Sequence, residues 1–68
     1  MSVIIYGSKS FIVENSYAAQ ILQDAANLQK AGDVPTAKLM LSLAVQVEAG
    51  TMADSEAKRR LSGRSIAA

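Results

Sequence analysis

Hydrophobic and polar positions divide the chain into a β-rich start and three helical stretches. Val3-Ile4-Ile5-Tyr6 and Phe11-Ile12-Val13 are short runs of β-branched and aromatic residues, the side chains that suit strands. Between them lies the polar turn Gly7-Ser8-Lys9-Ser10, whose glycine is free to take positive φ. The pattern predicts an N-terminal β-hairpin over residues 1–14. Neither run alternates cleanly between apolar and polar, so cover is expected on both faces. An isolated two-stranded hairpin is marginal in water. This one must pack on helices or pair with another chain, and its open edges allow an intermolecular or swapped sheet.

From Tyr17 the apolar positions Ala18, Ile21, Leu22, Ala25 and Leu28 follow helical spacing, while Gln20, Gln23, Asp24, Asn27 and Lys30 take the opposite face. Asn15 or Ser16 caps the start of this helix. Gly32 ends it, Asp33 caps the next one, and Pro35 sits in the following first turn, where a missing N–H costs nothing. So short a link predicts an antiparallel helical hairpin over residues 16–50. Gly50 stops the second helix. Thr51-Met52-Ala53-Asp54 reads as a capping box for a third over residues 51–63, ended by Gly63, with 64–68 as a flexible tail. Its stripe of Ala53, Ala57 and Leu61 is thin, so weak docking is expected. Asp54 with Lys58 and Glu56 with Arg60 are acid-before-base pairs four apart. The fold class is therefore mainly α with a short N-terminal β-hairpin, in a single small domain.

The second helix is unusual because it is apolar on nearly every side. Its polar residues fall mainly into one narrow seam, Lys38, Ser42 and Gln46, spaced four apart. Ala37, Leu41 and Ala44 make one apolar stripe, and Leu39, Met40, Leu43 and Val47 make a second. A surface helix needs only one. The second stripe is therefore expected to meet another copy of the chain or a protein partner.

Size sharpens that expectation. At 68 residues the chain buries only about 60% of the surface its unfolded form exposes. Domains this small lean on disulfides, metals or oligomerisation. Without cysteine or histidine, disulfides and thiolate or imidazole metal sites are excluded, so a homodimer or larger oligomer is expected. The glycines fall at turns and caps rather than in a phosphate loop, and the usual catalytic triads lack their residues. An enzyme is not expected, nor a cofactor or bound metal. No apolar run approaches the roughly 20 residues of a membrane span, and Met1 to Tyr6 lacks the features of a secretory signal. A soluble, cytoplasmic protein with no membrane partner is the expectation.

Charge offers one alternative. Residues 1–57 carry Lys9, Lys30 and Lys38 against six acids, a net −3, whereas residues 58–68 carry Lys58, Arg59, Arg60 and Arg64 with no acid. That basic segment could hold nucleic acid or a small anionic ligand, although no aromatic lies nearby to stack on bases. The same cations also suit the end of a helix dipole.

Within the helical hairpin, Ala25, Leu28, Gly32-Asp33, Ala37, Leu41 and Ala44 resemble the small, large, turn, small, large and small positions of a tetratricopeptide repeat. The resemblance covers about residues 18–49, and the third helix would then look like the helix that caps such arrays. It departs at Asp24, where the family carries a large apolar residue, and in lacking a proline after the second helix. It implies peptide binding by analogy. The composite expectation is a non-enzymatic, homo-oligomeric adaptor, inhibitor or regulator. It would bind protein through Leu39, Met40, Leu43 and Val47, with anion binding at Lys58, Arg59, Arg60 and Arg64 as the alternative.

Overall fold

The two strands meet at a tighter turn than the hydrophobic pattern suggests. A computed structural model, which describes residues 1–62, has β1 at Ser2–Tyr6 and β2 at Lys9–Val13. They pair antiparallel, with Tyr6 opposite Lys9 and Ser2 opposite Val13. Only Gly7 and Ser8 remain in the loop. Gly7 has φ +61° and, among the described residues, only glycines have positive φ, so Ser8 does not, which matches the type II′ hairpin with glycine first. That geometry continues the strand twist and draws Lys9 and Ser10 into β2.

Three helices follow: α1 at Ser16–Ala31, α2 at Val34–Ala49 and α3 at Asp54–Ser62. Asn15 caps α1, its side-chain oxygen accepting from the Tyr17 and Ala18 amides at 2.8 and 3.0 Å. Gly32 closes α1 at φ +94°, where any other residue would be strained. Asp33 then caps α2 through the Thr36 amide, and α2 returns against α1. The capping box at Thr51 does not form. Thr51 instead donates its hydroxyl and its amide to the Gln46 carbonyl, completing the end of α2, so α3 begins only at Asp54. The predicted end of that helix at Gly63 and the predicted tail lie outside the described residues.

The core is built around α1. Ile4 and Val13 reach it from the sheet, and Met40, Ala44 and Val47 reach it from α2. Ala18, Ala25, Ala37 and Ala44 are all essentially buried, and side chains this small let the elements approach closely. Ala57 of α3 is also fully buried, with Met52 and Leu61 packed at the margin of the core. Of the thin stripe, Ala57 is buried and Leu61 half-buried, while Ala53 stays exposed.

That seating corrects the reading of the second stripe on α2. Met40, Leu43 and Val47 are buried within the chain, and Leu39 is half-buried. A helix apolar on two sides found partners in its own fold, because α1 covers one flank and α3 packs on α2 as well. Three of the four proposed interface residues are not at the surface.

Candidate functional site

The uncovered apolar surface lies on the hairpin instead. Strand side chains alternate between faces, so Ile4, Tyr6, Phe11 and Val13 turn towards the helices and Val3, Ile5, Ser10 and Ile12 turn away. The outward apolar residues are 59%, 55% and 66% exposed for Val3, Ile5 and Ile12. Val3 stands directly opposite Ile12, and Ile5 opposite Ser10, which makes one continuous patch with no charged residue among those four positions. Scattered exposed apolar residues need no explanation; these three lie side by side on one face.

Beside the patch runs an apolar groove of about 300 Å³. Phe11, Ile12 and Val13 of β2 form one wall, Ala18 and Leu22 of α1 lie along it, and Ala44, Val45 and Ala49 of α2 form the other wall. Val45 is 51% exposed. Since Ile12 belongs to both the patch and the groove, the two make one surface running from the sheet onto α2.

Glu48 closes one end of that groove. Its carboxylate accepts from the Glu14 amide at 3.1 and 3.2 Å and from the Asn15 amide at 2.9 Å. These hydrogen bonds favour the charged form and hold the Glu48 carboxyl below its ordinary pKa, Asn15 contributing most. The contact ties the end of α2 to the junction between β2 and α1. On the inner face, the Tyr6 hydroxyl donates to Gln29 at 3.2 Å, and Tyr6 meets the Phe11 ring edge to face.

The cations expected to hold anions are largely occupied locally. Arg59 and Arg60 both pair with Glu56, at 2.6 and 3.0 Å. These hydrogen bonds, Arg59 first, lower the Glu56 pKa. Lys58 does not pair with Asp54. Its ammonium lies 5.2 Å from the centre of the Tyr17 ring, a cation–π contact joining α3 to α1. Tyr17 has a raised pKa, from burial first and the nearby Asp54 charge second. Arg64 lies outside the described residues. Lys58, Arg59 and Arg60 are exposed.

Sequence reasoning missed Val3, Ile5 and Ile12 as site residues. Their signal was present in the lack of alternation along both strands, which called for cover on two faces where the described residues cover only the helix side. Glu48 had no local signal, because its partners are more than thirty residues away. Among the described residues no helix is long and apolar enough to cross a membrane. Comparison of the chain with protein-family models, with curated proteins and with solved structures finds no match.

Proposed function

We propose that this chain is a small, non-enzymatic, homo-oligomeric interaction protein, an adaptor or regulator that docks a protein partner on the outer face of its hairpin. The observation that carries the reading is the exposed cross-strand patch of Val3, Ile5 and Ile12. Covering such a patch removes apolar area from water at about 25 cal/mol per Å². The partner surface thus moves from α2, where the hydrophobic pattern placed it, to the strands. Anion binding draws less support, since Arg59 and Arg60 share one carboxylate and Lys58 rests on Tyr17.

The test compares the wild type with a Val3→Ser, Ile5→Ser double variant as immobilised baits for protein capture. Both substitutions are at exposed positions, so circular dichroism should show an unchanged helical fold. A partner bound by the wild type and lost by the variant fits the proposal. Equal capture by both baits places the contact elsewhere. A short oligonucleotide titrated at low salt covers the alternative, because phosphate contacts weaken steeply as salt is added.

A further inference from the structure

The open edge of β2 carries a more specific message than the patch. With a two-residue loop, Tyr6 and Lys9 form the first hydrogen-bonded pair, and such pairs recur at every second residue. Ile4 with Phe11 and Ser2 with Val13 are therefore the next two in the observed register. It follows that Ser10, Ile12 and Glu14 turn their N–H groups away from β1. Glu14 is already satisfied, because its amide donates to the Glu48 carboxylate reaching in from α2. The unpaired row is therefore short and sharply bounded. It consists of Ser10 and Ile12, stopped at one end by Glu48 and at the other by the loop.

We infer that a second copy of this chain docks on that edge, its β2 antiparallel to the first, so that two hairpins join into one four-stranded sheet. This inference rests on the homo-oligomeric reading above and names the surface through which the copies meet. Symmetry narrows the register. Paired side chains must share a face, so the twofold axis passes through a residue rather than between two. An axis at Ile12 would set Ser10 against Glu14, whose amide is taken. An axis at Ser10 would set Ile12 against Ser8, in the loop. An axis at Phe11 pairs Ser10 with Ile12 of the second copy and Ile12 with its Ser10, so that all the free groups are used.

Charge complementarity supports the same arrangement. The edge reads Lys9-Ser10-Phe11-Ile12-Val13-Glu14, basic at its start and acidic at its end, and an antiparallel copy reverses that order. Each Lys9 then arrives at the end of the other β2, where Glu14 and the edge-closing Glu48 lie. Two such meetings occur by symmetry. The two Phe11 side chains face each other on the helix side of the sheet, above the grooves. The outer faces become continuous, which doubles the apolar platform offered to a partner.

Sedimentation across the micromolar range, with circular dichroism on each variant, tests the joined sheet. The wild type should show twice the chain mass. Ser10→Pro removes one outward donor and blocks strand approach, yet proline is tolerated at an exposed edge, so this variant should keep its helical spectrum and become monomeric. Ile5→Ser, on the outer face and away from the β2 edge, should remain dimeric. A wild type that stays monomeric, or a folded Ser10→Pro variant that stays dimeric, overturns the inference. If Ser10→Pro does not fold, Lys9→Glu decides, since it sets like charges together and should weaken the dimer roughly tenfold or more. An unchanged dimer would then overturn it. Partner capture by the outer face is read separately, so failure of the joined sheet and failure of the docking surface are distinguishable.

Discussion

Replacing Leu43 with alanine gives opposite results under the two possible locations of that side chain. Read from the helical pattern alone, Leu43 belongs to a stripe that meets another molecule, and its loss should lower the mass of an assembly. In the structure the side chain is only 4% exposed within the single chain. Truncating a buried leucine removes the transfer energy of three carbons and leaves a cavity, at a cost of about 2–5 kcal/mol. A chain of this length has a total stability of roughly 3–10 kcal/mol at the usual per-residue value, so the loss is a large share of it. Each kcal/mol moves the midpoint of a small domain by about 4–8 °C, and the variant should melt on the order of 10–40 °C lower. Val45, two residues along the same helix and half-exposed, is the internal control. Its change to alanine should stay within about 1 kcal/mol. Thermal and urea unfolding followed by circular dichroism, with the native mass measured in parallel, reads both quantities. A Leu43→Ala variant that melts with the wild type but loses mass would refute the internal placement and return Leu43 to an interface between copies.

Other outcomes follow from the contacts around the site. Glu48 has a lowered folded-state pKa, so its contribution is present at neutral pH and is lost as pH falls below the ordinary value of 4.5 and through the lower folded value. Glu48→Gln should therefore be less stable than the wild type at neutral pH, with the gap closing in acid; parallel curves in urea at both pH values would count against the latch. Gly32→Ala forces a β-carbon into φ +94° and should destabilise by about 1–2 kcal/mol, while a midpoint equal to the wild type would show that the turn relaxes. Tyr17 should ionise above pH 10 in an ultraviolet titration, and Asp54→Asn should bring it part of the way back, because the Asp54 charge is the smaller of the two causes. No response to that substitution would place Asp54 too far away to act.

Local chemistry in the sequence was sufficient for the helical hairpin. Asn15, Gly32, Asp33, Pro35 and Gly50 act within a few residues of themselves, so caps and stops are decided before any tertiary contact forms, and each is found in that role. The hairpin was legible for the same reason, apart from its turn: Lys9 and Ser10 look like loop residues by polarity, but a glycine-first two-residue loop places them in β2. Thr51 shows the limit of a local motif. The Thr51 and Met52 amides both donate to the Gln46 carbonyl behind them, so this backbone finishes the second helix and the third starts only at Asp54. Surface exposure is a different kind of property. Whether Leu43 or Ile12 faces water depends on which elements pack against each flank, and a helical or alternating pattern gives the width of an apolar surface without saying what covers it. α3 packs against α2 and its one buried residue among those described, Ala57, joins the core, while among the described residues the hairpin has α1 beneath it and its outer face open. Those two packing decisions, made between residues far apart in the chain, moved the open apolar face from the second helix to the strands.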